Sequence, residues 1–325
     1  MKFPILIPNI FNYPFTYESK LNLKIGDFVE VPFGKSKKIG VVWDYFENDN
    51  NKNYKTKKII KKLEIPQLKK KTLDFLNWFS EYNIVPKGMA LKLSLLSGKP
   101  VSILDKKFYE DFTFKLNKNS SQLNSEQKKS LAEINDMNKK YNVHVLQGTT
   151  GSGKTIVYFE ALKHILQKGY QGLIMLPEIG LTNQFEKKFF EFFGFKAAIW
   201  HSGITKKNKE IIWSGITNGE ISVVIGARSS LFLPFKNLGL IIVDEEHDQS
   251  YKQDEGIIFN ARDMAISRAS FENIPINLIT SVPSIETYEN IKKKKYTCSK
   301  LVRRYQNASL PCLLYTSPSP RDRLL

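Results

Sequence analysis

The sequence predicts an α/β protein in which a parallel sheet with helices on both faces follows a small β-rich region. From about residue 123 onward, short apolar runs alternate with amphipathic helical patterns, the order that successive βαβ units produce. Before residue 110, two strand candidates are joined by a turn signal, which predicts a separate β-rich unit. The apolar runs of the larger region are residues 143–147, 172–176, 197–200, 223–226, 240–243 and 277–279.

These patterns divide the chain into four parts. In the first part, residues 1–110, residues 27–31 and 39–43 are the strand candidates, and Pro-Phe-Gly at 32–34 is the turn between them. Residues 73–82 have helical spacing. The other parts are a linker at 111–122, the larger α/β region at 123–300, and a tail at 301–325. The tail contains a Ser-Pro-Ser-Pro run and is expected to be truncated or non-native sequence.

Charge and cysteine content narrow the possible functions. The net charge is +17, which favours a polyanionic partner such as nucleic acid, although a lysine-rich surface also serves solubility alone. The two cysteines, Cys298 and Cys312, are too few for a disulfide framework or a zinc cluster. No apolar run reaches the length of a membrane span. A cytoplasmic protein that does not bind membranes is therefore expected.

The strongest motif is GTTGSGKT, which matches the phosphate-binding pattern GxxxxGK[ST]. Gly148, Gly151 and Gly153 allow backbone amides to face phosphate, and the N-terminus of the following helix adds a favourable dipole. Lys154 is expected to reach the β- and γ-phosphates, and Thr155 is expected to bind Mg²⁺. A chance glycine-rich turn is improbable here, because a strand candidate precedes the motif and a helix candidate follows it.

A second motif, Asp-Glu-Glu-His, follows the apolar run 240–243. Asp244 is suited to the second Mg²⁺ contact of a nucleotide hydrolase, and Glu245 is placed to polarise the attacking water. An acidic strand end alone is usually a solvated loop, so this assignment depends on the phosphate-binding motif. His247 is not expected to bind a metal, since no second histidine lies at ligand spacing.

Beyond these two motifs, the chain resembles superfamily 2 helicases, and most closely the primosomal replication-restart DNA helicases. The resemblance extends to about residue 311. The stretches that carry it are LNSEQ at 123–127, GTTGSGKT, LPEIGLT at 176–182, WHSG at 200–203, GARSSLF at 226–232, DEEHDQSYKQDEG at 244–256, NARD at 260–263 and, near the N-terminus, FTY at 15–17 and VPFGK at 31–35.

The resemblance implies a RecA-like first motor lobe and roles for several further residues. Gln127 is expected to contact adenine. Arg228 is expected to contact DNA or to couple DNA binding to hydrolysis. The alternative is a surface arginine without such a role, and the sequence favours neither interpretation over the other. Tyr251, Lys252 and Gln253 match an aromatic-rich loop in which a ring can stack on a base and a lysine can meet a phosphate. The alternative for Tyr251 is packing under the sheet edge.

By the same resemblance, the N-terminal region is expected to bind a DNA 3′ end. Phe15 and Tyr17 would line the base pocket, and Gly34 would permit close backbone approach. The alternative is a pair of ordinary core aromatics and a turn glycine. Two departures from the family bear on function. Thr16 stands where the family usually has Asp. Residues 280–284 are Thr-Ser-Val-Pro-Ser where the family has Ser-Ala-Thr-Pro-Ser, so Val282 replaces a residue that carries a hydroxyl.

The resulting expectation is an ATP-dependent 3′-to-5′ DNA helicase that acts in restart of stalled forks, present as an N-terminal portion. ATP and Mg²⁺ are the expected cofactors, and zinc is not expected. The resemblance implies forked or single-stranded DNA, other primosome proteins and single-strand-binding protein as partners. Without a second motor lobe and its arginine finger, weak hydrolysis is expected. The alternatives are another superfamily 2 DNA or RNA translocase, or a non-motor adaptor that binds forks.

Overall fold

A computed structural model provides the structure of the chain. The described residues are 1–45, 56–96, 98–115, 122–137, 140–177 and 183–304. Most of the predicted tail, including Cys312, lies outside them, as do residues 116–121 of the predicted linker and part of the LPEIGLT stretch. None of the helices in these ranges is both long enough and apolar enough to cross a membrane.

The N-terminal region contains a six-stranded sheet. Its strands are β1 (Lys2–Leu6), β2 (Phe15–Glu18), β3 (Phe28–Phe33), β4 (Ser36–Val42), β5 (Lys57–Lys58) and β6 (Lys61–Lys62). Their spatial order is β5-β2-β1-β4-β3-β6, with the predicted turn joining β3 to β4. Successive residues point to opposite faces, so Phe28 and Val41 join the main core while Val29 and Val42 form a small core on the other side.

The larger region is the predicted parallel sheet. Its strands are β7 (Asn142–Gly148), β8 (Gln171–Met175), β9 (Ala198–Trp200), β10 (Val223–Gly226), β11 (Leu238–Val243), β14 (Pro275–Thr280) and β15 (Thr297–Leu301), and a separate hairpin contains β12 (Lys252–Gln253) and β13 (Phe259–Asn260). The order of the sheet is β15-β7-β14-β11-β8-β10-β9, and all of its pairs are parallel. The predicted α/β fold class is confirmed.

Helices cover both faces of this sheet. They are α1 (Lys70–Tyr82), α2 (Lys87–Leu93), α3 (Ser125–Met137), α4 (Lys154–Gln167), α5 (Asn183–Phe193), α6 (Lys206–Asn218), α7 (Ala261–Glu272) and α8 (Ile285–Lys292). Buried residues of α3, α4 and α5 share one core with alternate residues of the strands, and those of α1, α6 and α7 share the core on the opposite face. On β11, for example, Leu240 faces the first core and Ile241 the second.

Helix α1 joins the N-terminal region to the sheet. Phe79 of α1 packs edge-on against Phe232 and Phe259, with ring centroids 4.9 and 5.6 Å apart. Phe75 lies 6.0 Å from Phe232. Such pairs add to the stabilisation from burial alone. The two regions therefore share a continuous core on this face.

The described part of the predicted linker is bonded to the sheet edge. The carbonyl of Asp111 accepts a hydrogen bond from the amide of Lys196 at 2.8 Å, and the carbonyl of Phe112 accepts one from the amide of Ser222 at 3.1 Å. Tyr109, just before it, is buried and its hydroxyl bonds Ser214 of α6 at 2.9 Å. Residues 109–112 therefore contact the larger region rather than spanning open solvent. The predicted domain limits themselves stay a prediction.

Candidate nucleotide site and nucleic-acid interface

The phosphate-binding loop connects β7 to α4. Gly151 and Gly153 both have a φ of 82°, a left-handed conformation that residues with a side chain rarely adopt. Gly153 is the N-cap of α4. Because glycine has no side chain, it cannot accept a hydrogen bond from the amides of the first helical turn. Amides in this arrangement, together with the helix dipole, favour a bound anion.

Lys154 lies across the mouth of this loop. Its Nζ donates to the carbonyl of Gly148 at 2.6 Å, and only 9% of the residue is exposed. Burial raises the pKa of the nearby Asp244 carboxylate, and the Lys154 charge opposes part of that rise. The loop follows β7 and Asp244 follows β11, with β14 between these strands. Parallel strands thus bring both motifs to the carboxyl edge of the sheet.

The carboxylate of Asp244 is held by donors from two directions. Tyr158 of α4 donates its hydroxyl to Oδ2 at 2.9 Å, and the amide of Glu245 donates to Oδ1 at 3.0 Å. The pKa of Asp244 is raised to about 6, mainly by burial; the hydrogen bond from Tyr158 opposes this rise and the neighbouring Glu245 charge contributes to it. Tyr158 also bonds Thr155, so one phenol links both predicted Mg²⁺ ligands.

Glu245 adopts a φ of 46°, which is unfavourable for a residue with a side chain. Its Oε2 lies 3.7 Å from Nδ1 of His247. That nitrogen lies 2.9 Å from the hydroxyl of Thr280, which donates to the carbonyl of Val282 at 2.7 Å. Because the hydroxyl proton is used there, His247 Nδ1 carries a proton and donates to Thr280. Val282 therefore contributes to this group of contacts through its backbone carbonyl, which accepts the bond from Thr280.

Glu246 is a buried acid that sequence reasoning did not single out. It is 1% exposed. The amide of Ser284 donates to Oε1 at 2.8 Å, and the hydroxyls of Ser284 and Thr287 lie 3.0 Å from Oε2. Nη1 of Arg262 completes the set at 3.2 Å. This carboxylate has a full set of hydrogen-bond donors, as a buried charge requires.

The hairpin of β12 and β13 is attached to the end of β11 by Tyr251. The phenol of Tyr251 is buried and donates to the carbonyl of Asp244 at 2.6 Å, and it lies 3.0 Å from the carbonyl of Met175. Arg228 Nη1 donates to the carbonyl of Lys252 at 3.0 Å. The Lys252 side chain is exposed and lies 3.1 Å from a carboxylate oxygen of Asp254. Two predicted DNA contacts, Arg228 and Lys252, are therefore neighbours.

Gln127 is fully buried beside the phosphate-binding loop. Its Oε1 accepts from the amide of Asn124, and its Nε2 donates to the carbonyl of Ser152, both at 3.0 Å. In this conformation the side chain joins the start of α3 to the loop. Contact with adenine stays a prediction, and it would require these bonds to be shared or exchanged.

In the N-terminal region, Phe15 belongs to a half-buried cluster of four rings. Its ring centroid lies 5.0 Å from that of Phe11, 5.2 Å from that of Tyr13 and 5.4 Å from that of Phe33. Gly34 has a φ of 60° in the turn that follows Phe33, and no atom lies within 4 Å of the position a Cβ would take. This turn therefore needs glycine for its backbone conformation.

Comparison with known proteins agrees with this geometry. A family model described as DEAD/DEAH box helicase matches residues 124–290, which is half of the chain. The chain belongs to the DEAD/DEAH box helicases. A second family model, the 3′DNA-binding domain (3′BD) of PriA, matches residues 4–95 of this helicase chain.

Curated relatives of this helicase chain are replication restart proteins. The PriA of Rickettsia conorii is 43% identical over 94% of the chain and 47% of its own length. That of Bacillus subtilis is 37% identical over 62% of the chain and 25% of its own length. The chain spans about half the length of the first of these relatives, and the predicted resemblance is confirmed. Among solved structures, the Hef helicase domain of Pyrococcus furiosus is 14% identical in sequence, with a TM-score of 0.39. The match covers 54% of this chain and 37% of the Hef chain.

Two of the residues that are expected to contact DNA are buried in the structure. Tyr251 is 1% exposed, and its hydroxyl donates to the backbone carbonyl of Asp244. This burial favours packing under the sheet edge, the alternative interpretation, and a base contact by Tyr251 stays a prediction. Tyr17 is 4% exposed and its hydroxyl donates to the carbonyl of Pro32 at 3.0 Å. Each hydroxyl finds an acceptor inside the protein, as a buried tyrosine requires.

Three residues beside the candidate site were not singled out from the sequence. Tyr158 lies four residues after Lys154 on α4, so helical spacing could have placed it on the same face. Glu246 and Arg262 are separated by sixteen residues and meet only through the tertiary fold. No local pattern could have paired them.

The raised pKa of Asp244 predicts a pH-dependent stability in metal-free buffer. Its pKa rises from the ordinary value of 3.8 to about 6, so the folded state binds this proton more tightly than the unfolded state does. The cost of burying the charge is fully present at pH 8 and is lost as the pH falls through 6 toward 4. Between pH 8 and pH 5, the chain should therefore gain roughly 1.5 kcal/mol relative to Asp244→Asn.

Urea unfolding of both proteins at the two pH values, with a chelator present, measures this difference. Asp254→Asn is the control, since it removes one negative charge from an exposed position of the hairpin. An equal change in stability for all three proteins between pH 8 and pH 5 would contradict the assignment to Asp244.

The burial of Tyr251 predicts the effect of removing its hydroxyl. Tyr251→Phe leaves the backbone carbonyl of Asp244 without this donor, so the free energy of unfolding should fall by about 1–3 kcal/mol. Tyr288→Phe, at a position that is 58% exposed, should change it little. Chemical denaturation of both variants checks this. An unchanged stability for Tyr251→Phe would favour the exposed, base-stacking alternative.

Proposed function

We propose that this chain is the ATP-binding and fork-binding portion of an ATP-dependent DNA helicase that restarts stalled replication forks. One observation carries the proposal. The phosphate-binding loop, the Asp244 carboxylate and the hairpin that follows it form a continuous series of contacts through Tyr158 and Tyr251. A helicase needs such a connection between nucleotide and nucleic acid, and the replication-restart relatives support the cellular role.

The residues present fit ATP and Mg²⁺. Glycines with left-handed backbone conformations and an N-terminal helix end suit phosphate, and Thr155 with Asp244 supplies the hydroxyl and carboxylate oxygens that Mg²⁺ prefers. Lys154 would bind the β- and γ-phosphates. When bound, Mg²⁺ supplies neutralisation of phosphate charge. Within the described ranges, no group of three or more His, Cys, Asp or Glu side chains is arranged to hold a metal ion by itself.

Glu245 is the proposed proton acceptor for the attacking water. Its carboxylate follows the proposed Mg²⁺ ligand Asp244 in sequence, and 44% of its side chain is exposed. A carboxylate in this position can orient a water molecule and take up its proton. His247, bonded to Thr280, limits the space in which this carboxylate can move, since the two side chains lie 3.7 Å apart.

The proposed DNA contacts lie on two surfaces. In the N-terminal region, the four-ring cluster around Phe15 and the turn at Gly34 support binding of a DNA 3′ end, in keeping with the 3′DNA-binding family model. In the motor lobe, Arg228 and Lys252 lie together at the hairpin. Translocation from 3′ to 5′, primosome proteins and single-strand-binding protein as partners, and a cytoplasmic location belong to this proposal by resemblance to the replication-restart helicases.

Nucleotide binding should depend on Lys154. Lys154→Ala removes the proposed charge-assisted contact to phosphate, which is worth about 1.5–3 kcal/mol, so affinity should fall roughly 10- to 150-fold. Fluorescence titration with an ATP analogue in the presence of Mg²⁺ measures the loss. Lys168→Ala, at the exposed C-terminal end of the same helix, should bind like the unaltered chain. Equal binding by both variants would contradict the proposed phosphate site.

The DNA assignment predicts a preference for a free 3′ end. A forked DNA with a 3′-hydroxyl at the branch should bind several-fold more tightly than the same fork carrying a 3′-phosphate, because recognition of an end requires space and donors at the terminal hydroxyl. Anisotropy titrations with the two forks measure this, and Phe15→Ala should reduce the preference. Equal affinity for the two forks would favour another superfamily 2 translocase.

A further inference from the structure

Arg262 connects the end of the hairpin to Glu246. It is the second residue of α7, which begins directly after β13, and it is 7% exposed. Besides its contact with Glu246, its Nη1 donates to the hydroxyl of Ser284 at 2.7 Å, and its Nε donates to Asp263 at 2.8 Å. A guanidinium with this many fixed acceptors has one orientation, so the end of the hairpin has a defined position relative to Glu246.

The start of the hairpin is bonded to residues 244–246 as well. Tyr251 donates to the carbonyl of Asp244, two residues before Glu246. The segment from Tyr251 to Arg262 is therefore anchored at both ends, to Asp244 on one side and to Glu246 on the other. Glu245 lies between these anchors with its φ of 46°.

This unfavourable backbone conformation needs support from its neighbours. The amide of Glu246 donates to the carbonyl of Ile279 at 3.0 Å, and the carboxylate of Glu246 is bound by Ser284, Thr287 and Arg262. These bonds fix the residue that follows Glu245. If the hairpin moved, Arg262 would move with it, and the peptide between Glu245 and Glu246 would lose part of that support.

We propose that Glu246 and Arg262 are a positioning pair that couples the hairpin to the proposed proton acceptor Glu245. The pair holds Glu245 in its left-handed conformation, and DNA at the hairpin changes the nucleotide site through it. Neither residue touches nucleotide or DNA in this role. The inference rests on the proposed function, because it requires that nucleotide and DNA bind to the two sides of this stretch.

The two binding events provide the test. If DNA changes the affinity for nucleotide by some factor, nucleotide changes the affinity for DNA by the same factor. The affinity of the full chain for a fluorescent ATP analogue with Mg²⁺ is measured with and without single-stranded DNA. For the unaltered chain we expect DNA to change this affinity about fivefold or more. For Glu246→Gln we expect a change of less than twofold, with the affinity in the absence of DNA kept within about threefold.

Glu286→Gln is the matched control. Glu286 also faces Arg262, with an oxygen 3.8 Å from Nη1, but its side chain is 70% exposed. This variant should keep the full effect of DNA. Because Glu246→Gln removes the buried one of the three carboxylates around Arg262, the double variant Glu246→Gln with Arg262→Gln is measured as well. It removes both charges, and it should fold while also losing the effect of DNA.

The outcomes separate the two proposals. If DNA leaves the nucleotide affinity of the unaltered chain unchanged, the proposed coupling of nucleotide to DNA is wrong, and this inference is wrong with it. If the unaltered chain responds to DNA and both Glu246 variants respond equally, only the inference is overturned. It is also overturned if Glu286→Gln loses the response, because the effect would then not belong to the buried pair.

Discussion

The carboxylate of Asp244 is the group around which the site is built. Burial raises its pKa to about 6, so its charge is maintained near neutral pH only because donors surround it. Tyr158 provides one of these donors from α4, and the amide of Glu245 provides another. Tyr251 adds a bond to the backbone carbonyl of the same residue. The helix of the phosphate-binding loop, strand β11 and the hairpin therefore meet at one residue, and a shift of any of them alters its surroundings.

The hairpin has a second neighbour in the N-terminal region. Phe259 of β13 packs against Phe79 of α1, and both contact Phe232, which ends the turn that begins with Arg228. The two proposed DNA-binding surfaces are thus not independent attachments. The helix that follows the N-terminal sheet contacts the same hairpin whose ends are anchored beside Glu245. Dense aromatic packing of this kind transmits displacement rather than absorbing it.

Local features were predictable from the sequence, and features set by tertiary contact were not. Eight contiguous residues define the phosphate-binding loop, and the apolar runs predicted the strands because most of their residues are buried in a parallel sheet. Strand β15 (Thr297–Leu301) was missed because its polar composition conceals it at the sheet edge. An aromatic residue in a loop, such as Tyr251, has the same local sequence whether it meets a base or an internal carbonyl. Its burial depends on Met175, seventy-six residues away.

The Glu246–Arg262 pair has the same non-local origin, and stability alone does not explain it. A buried ion pair must offset the desolvation of two charges, and apolar residues of similar volume often serve a core as well or better. Hydrogen bonds between charged groups depend on direction, whereas apolar contacts do not. The bonds of Glu246 to Arg262, Ser284 and Thr287 therefore permit one arrangement of the backbone beside Glu245. A site that must hold an acid in an unfavourable backbone conformation gains from such direction. The pair is therefore better explained by geometry at the proposed nucleotide site than by its contribution to folding.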